Sequence, residues 1–145
     1  MLDDPFGVFT PLQDGKPKLF IAGGIGITPF LSIIGVWNSG GFKQKVTLVW
    51  NCRTLDDMVH RNMFETCASN HREFSFIPLI TSAEHKTAHA KRVNRQLLGP
   101  LVIALERSSL EAYICGPETL RRSVTADLRS CGILAKNVHH ENFSQ

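Results

Sequence analysis

No basic run, no zinc-finger spacing and no cluster of stacking aromatics occurs in these 145 residues, which removes the usual signatures of nucleic-acid binding. Charge is sparse as well. Sixteen Lys and Arg against 13 Asp and Glu give a formal net charge of +3, too small and too scattered to draw in a polyanion. The four cysteines, Cys52, Cys67, Cys115 and Cys131, form no CxxC pair and share no regular spacing. With no secretory segment in view, they read as reduced cytosolic thiols, not as a disulfide framework. The opening MLDDPFGVF lacks the basic stretch and apolar core of a signal peptide. Nothing repeats. What remains is ordinary globular composition, 43% hydrophobic and 20% charged, at the size of one domain with a full core.

One apolar run stands out, Leu19 to Trp37 within KLFIAGGIGITPFLSIIGVW. It approaches the roughly 20 residues of a membrane span. Three glycines (Gly23, Gly24, Gly26) and Pro29 interrupt it, and these would weaken a spanning helix badly. The run divides better into a buried strand, Leu19 to Ala22, and a helix from about Pro29 to Trp37, with the glycines as the turn between them.

The rest of the chain alternates in the same way. KVTLVW (Lys45 to Trp50) is a β-branched, buried-strand segment. TLDDMVHRNMFETCAS predicts a helix capped by Thr54 and Asp57, with Leu55, Met58, Val59, Met63 and Phe64 as its apolar stripe. FSFIPLI (Phe74 to Ile80) is a third strand, Pro78 marking an edge position. A polar loop and short helix follow, with LVIALERSSLE continuing the helical region. AYIC (Ala112 to Cys115) is a fourth strand. PETLRRSVTADLRSCG is a helix with Pro117 near its start and Gly132 past its end. Asn137 to Phe143 closes as a fifth strand. Strands and helices at this spacing predict an α/β fold: one doubly wound parallel sheet, order 3-2-1-4-5, sandwiched between helices. In such sheets a ligand sits beyond the carboxyl ends of the strands where the winding reverses. Here that lies between the first and fourth strands, which run into GGIGITP and CGPE. These two corners are expected to converge on one crevice.

A strand-to-helix turn offers unpaired N–H groups and the positive end of a helix dipole. Glycines there let a phosphate or flat ring approach without a Cβ in the way, Pro29 starts the helix behind, and Thr28 adds a hydroxyl facing the same mouth. A tight turn with no ligand explains the glycines alone about equally well. GGIGIT is not GxGxxG, so the ordinary dinucleotide fingerprint does not apply.

Gly23-Gly24-Ile25-Gly26-Ile27-Thr28-Pro29 resembles the GGxGxTP motif of the ferredoxin–NADP reductase superfamily, and Cys115-Gly116-Pro117 resembles its CGP motif. Order and separation match that family's nicotinamide domain over nearly the whole chain. DDPFGVF (Asp3 to Phe9) is similar to the GPFGxF segment ending the family's flavin-binding barrel, with Asp4 in place of the usual glycine. VWNCR (Val49 to Arg53) and HENF (His140 to Phe143) resemble the ferric reductase and NADPH oxidase branch.

The resemblance implies hydride transfer from a nicotinamide to a flavin, with the reacting atoms held about 3–3.5 Å apart. It assigns residues 1–10 to the tail of a flavin-binding barrel upstream and 11–145 to an NAD(P)H-binding domain. FAD would come with the upstream domain. In the ferric reductase branch a haem-bearing membrane domain is a further partner, and this domain lies on the cytosolic side. Gly23 to Thr28, with Pro29, would hold the pyrophosphate. Cys115 would pack beside the nicotinamide, Gly116, Pro117 and Glu118 would border the pocket, and Phe143 would cover the flavin face with Glu141 fixing its surroundings. Cys115, Thr28 and Phe143 are thus the expected catalytic set.

Cofactor choice turns on the end of the second strand. A guanidinium forks onto a 2′-phosphate, whereas a carboxylate accepts from a free 2′-hydroxyl. Arg53 stands there, with Arg61 and Arg92 further on, which favours NADPH; Asp56 and Asp57 nearby favour NADH. His85 and His89 have no third ligand to make a metal site, and His139 and His140 face opposite sides of a strand. Other readings are a reductase component of a soluble oxygenase or cytochrome b5 reductase type system, a regulatory nucleotide-binding module without turnover, and a methyltransferase-like domain using Asp56 on a ribose. The last leaves CGPE unexplained.

Overall fold

The computed structural model describes residues 11–82 and 92–142. Five strands, β1 (Lys18–Gly23), β2 (Val46–Cys52), β3 (Phe74–Ile80), β4 (Glu111–Gly116) and β5 (Val138–Asn142), form one sheet in the order β3-β2-β1-β4-β5. Every neighbouring pair is parallel, as the alternation predicts. Parallel neighbours need crossover connections, and four helices provide them: α1 (Thr28–Gly40), α2 (Arg61–Asn70), α3 (Arg95–Ala104) and α4 (Glu118–Ser130).

All six residues of β1 are buried. A central parallel strand is covered on both faces, so its sequence reads as one apolar run without visible alternation. The alternation survives in where the side chains go. Phe20 and Ala22 join Phe30, Ile34, Trp50 and Phe64 under α1 and α2. Leu19 and Ile21 join Leu98, Val124 and Leu128 under α3 and α4. Phe20 stacks on Phe30 with centroids 4.8 Å apart, and burying such a ring contributes roughly 2–3 kcal/mol.

Lys18 is the exception, a fully buried charge at the start of β1. Its Nζ pairs with Asp14 at 2.7 Å and Glu111 at 3.1 Å and donates to the Lys16 carbonyl at 3.0 Å. Three donors meet three acceptors, which is the condition for tolerating a buried ammonium.

Two helical predictions need correction. The Thr54–Asp57 capping box forms, but it closes only the 3₁₀ turn Leu55–Asp57, and α2 begins at Arg61. Met58 and Phe64 are both buried, while Leu55 and Val59 are exposed. Met58 takes φ −90° and ψ 65°, outside the helical region, so the backbone breaks there before α2 starts. In the later region α3 runs through Gly99 and Pro100 and stops at Ala104. Glu106 then takes φ 62°, so LVIALERSSLE is helix for only its first four residues. The start of α3 is fixed by Asn94, whose Oδ1 accepts the Leu97 N–H at 2.9 Å.

Pro78 lies in β3, an outer strand of the sheet, where a missing N–H costs least. Among the described residues no helix is long and apolar enough to cross a membrane. Phe143, His85, His89 and the Asp3–Phe9 segment lie outside the described residues.

Candidate functional site

Winding reverses between β1 and β4, which are adjacent and parallel, with Ala22 in register with Cys115. From their C-terminal ends the chain departs to opposite faces, through the 3₁₀ turn Gly24–Ile27 into α1 and through Pro117, the N-cap residue of α4. The two corners touch. A Cβ placed on Gly26 would overlap the Cys115 carbonyl oxygen and lie 3.0 Å from Gly116 Cα. One on Gly23 would meet Leu120 Cδ2 at 2.6 Å, and one on Gly116 would meet the same atom at 2.9 Å and Gly23 N at 3.2 Å.

The glycines of GGIG therefore answer different needs, which corrects the expectation that all three stand aside for a ligand. Gly23 and Gly26 admit the neighbouring corner. Gly24 alone faces open space, at φ 56°, a conformation that side chains disfavour.

Between the corners lies a cleft of about 850 Å³. Its floor is Gly23, Gly24, Ile25, Gly116 and Pro117. One wall comes from the end of β2 and its neighbours, Asn51, Cys52, Arg53, Asp57 and Thr81; the other comes from Thr119, Leu120 and Ser123 of α4, with Arg92 and Val93 nearby. Seven residues expected from sequence are thus brought together: Gly23, Gly24, Ile25, Arg53, Arg92, Gly116 and Pro117. Gly26, Ile27, Thr28, Pro29, Cys115 and Glu118 do not line it. The Thr28 hydroxyl donates to the Ile25 carbonyl at 3.0 Å, which ties it to the turn. Glu118 is exposed and sits 3.9 Å from Arg122. Cys115 is fully buried, with Ala22 and Tyr113, in the core under α1.

Sequence reasoning missed Asn51, Cys52, Thr81, Val93, Thr119, Leu120 and Ser123. The signal for most was positional. Asn51, Cys52 and Thr81 close β2 and β3 at the ligand-binding rim, and Leu120 and Ser123 follow Thr119 on the first turns of α4.

The electrostatics of the rim are mixed. Arg53 and Arg92 are exposed, and among the described residues neither has an ion pair within 4 Å. Asp57, an acid that lines the same cleft, accepts the Thr54 N–H at 3.3 Å through Oδ2. Burial pushes the Cys52 thiol up to about 12, with the Asp57 charge adding to the effect. Burial also pushes Cys115 up to about 12; the Glu141 charge adds and Arg121 opposes. Neither is a thiolate nucleophile at neutral pH. Among the described residues no group of His, Cys, Asp and Glu could hold a metal ion. His139 stacks on Tyr113 at 4.6 Å while His140 Nδ1 lies 3.4 Å from Arg121.

A doubly wound sheet with a glycine-floored, arginine-bearing cleft at its switch point defines a nucleotide-binding α/β domain. More narrowly, the chain belongs to the oxidoreductase NAD-binding domain family, which it matches over residues 20–126. It is 25% identical over 143 residues to the toluate 1,2-dioxygenase electron transfer component of Pseudomonas putida, covering 99% of this chain and 42% of that protein. Among solved structures it resembles the CS-b5R domains of human Ncb5or in the NAD+ form, with TM-score 0.78 and 19% identity over 97% of this chain and 39% of that one. It also resembles a ferredoxin NADP+ reductase from Neisseria gonorrhoeae with bound FAD and NADP, with TM-score 0.72 and 22% identity over 92% and 61% of the two chains. The chain spans about two-fifths of the length of the first curated relatives it matches. The chain shares its fold with that ferredoxin NADP+ reductase.

Proposed function

We propose that residues 11–145 are the NAD(P)H-binding part of a flavin-dependent reductase, with residues 1–10 ending a flavin-binding domain that supplies FAD. The observation that carries this reading is the contact between the two glycine corners at the rim lined by Arg53 and Arg92.

Each residue's task follows from its position. The open face of Gly24, beside Ile25 and the start of α1, suits the close approach of a pyrophosphate to backbone N–H groups. Arg53 and Arg92 suit a 2′-phosphate, since a guanidinium pairs with phosphate through parallel charge-assisted bonds; NADPH is therefore the preferred dinucleotide. Gly116 and Pro117 leave the cleft floor flat, and the first turn of α4 points unpaired N–H groups toward it. Cys115, protonated and beneath the floor, acts by packing. Phe143 and Glu118 would complete the pocket on the flavin side. When both cofactors are bound, the nicotinamide provides a hydride and the flavin accepts it.

For the final acceptor, VWNCR and HENF favour a ferric reductase or NADPH oxidase type protein, in which a haem-bearing membrane domain is a partner. A soluble oxygenase reductase is the second reading, favoured by the electron-transfer component that this chain resembles.

Titration with NADPH, NADH and 2′-phospho-AMP tests the site: tighter binding of the phosphorylated ligands is expected, and equal affinities refute the cofactor assignment. Extending the chain through its upstream sequence tests the larger claim. The extended protein should acquire flavin absorbance that NADPH bleaches, and a colourless product would refute it. Ferric chelate reduction against reduction of an iron–sulfur protein then separates the two acceptors.

A further inference from the structure

We infer that Trp50 is a positioning residue, clamping the Gly24 peptide of the glycine turn in the conformation that receives the dinucleotide. The inference rests on the nucleotide reading of the cleft and deepens it.

Trp50 stands on β2, buried in the core under α1. Trp50 is 1% exposed, so its indole N–H would be a costly orphan without a partner. It finds one in the Gly24 carbonyl, at 2.9 Å and 26 residues away in sequence. The ring has little room to follow a moving turn, because Phe64 meets it edge-on at 5.8 Å.

Gly24 is where such a clamp matters. It sits at φ 56° with open space beyond its Cα, and a glycine there is free to leave that conformation. Two residues on, Gly26 is wedged against the backbone of Cys115 and Gly116. The turn is thus held by β2 at one end and by β4 at the other, with Ile25 projecting 76% exposed between them. A turn fixed before binding spares the ligand the cost of ordering it. The motif alone could not reveal this, because the clamp lies on a different strand from the glycines.

The test is calorimetric titration of the wild-type chain and of Trp50→Phe, which keeps a ring but loses the donor. The ligands are NADPH and adenosine 2′-phosphate, the second lacking any pyrophosphate to reach the turn. NADPH affinity should fall about tenfold, the scale of one hydrogen bond plus a loosened turn, with adenosine 2′-phosphate unchanged. If Trp50→Phe fails to fold, β-(3-benzothienyl)alanine at position 50, with sulfur in place of N–H at nearly constant shape, decides the matter by the same readout. Equal affinity for NADPH, or equal loss for both ligands, overturns the clamp while leaving the cleft assignment standing. A wild-type chain that binds neither ligand overturns both.

Discussion

Gly26 lies with its Cα face against the carbonyl of Cys115, closer than any side chain allows. The obstruction is backbone on both sides, so nothing can swing away. Gly26→Ala should therefore cost about 3 kcal/mol, at the upper end of overpacking effects. Gly24→Ala meets no atom and pays only for its positive φ, roughly 1–2 kcal/mol. Denaturant unfolding of the two variants checks the order. Equal losses would mean that the corners are not pressed together.

Arg53→Ala should weaken NADPH roughly 10- to 100-fold, the worth of a charge-assisted pair, and leave NADH nearly unaffected. Thermal stability should not move, because Arg53 is exposed and among the described residues has no ion pair. Parallel titrations of both cofactors measure the split. A uniform loss would remove Arg53 from the 2′-phosphate assignment.

Acid should weaken the fold in two stages. Burial lowers the His139 imidazole below its ordinary value; Glu111 opposes, while Lys18 and His140 add to the shift. The unfolded chain, at about 6.5, takes up that proton first. The associated stability is thus complete above roughly pH 6.5 and is lost as pH falls through the folded value. Burial raises Asp14, but hydrogen bonds from Lys18 and the Lys16 N–H outweigh it and leave the carboxyl lowered. Its stability is present above roughly pH 3.9 and lost below, through its folded value. His139→Phe, which can keep the stack on Tyr113, should abolish the first stage alone. Urea midpoints across pH give the profile, and an unaltered first stage would exclude His139.

Of four cysteines, one should react with a thiol reagent in the native state at pH 8. Cys52, Cys67 and Cys115 are buried, and burial raises all three thiols, whereas Cys131 is partly exposed. Cys131→Ser should remove the fast phase, leaving three thiols that appear only with denaturant. Fast native labelling of Cys115 would show that the cleft floor opens.

The sheet was legible because its cause is local. β1 and β2 are apolar runs, and glycine or proline punctuates the ends of β1, β2's partner β3 and β4 within a few residues. Crossover handedness narrows the strand order to a few possibilities, and the observed β3-β2-β1-β4-β5 is the one expected. The break after Asp57 was not legible, since it depends on Met58 reaching the core, a tertiary fact that overrode a genuine capping box. In the cleft, motif residues were found and their neighbours were not. Thr119 and Ser123 carry no pattern of their own, and Thr81 becomes a cleft residue only because β3 ends beside β2. The roles of Gly23 and Gly26 were hidden for the same reason: sequence shows that a Cβ is missing, not what occupies its place.

Lys18 sits at the opposite end of β1 from the glycine turn, tied to Asp14 and Glu111. One six-residue strand thereby joins an ionic anchor to a reactive mouth without mixing them. On the assignment proposed above, nucleotide preference is altered at Arg53 and Arg92, away from this anchor. A change at Lys18 should do the reverse, lowering the stability of the fold by stranding Asp14 and Glu111 without changing which dinucleotide binds.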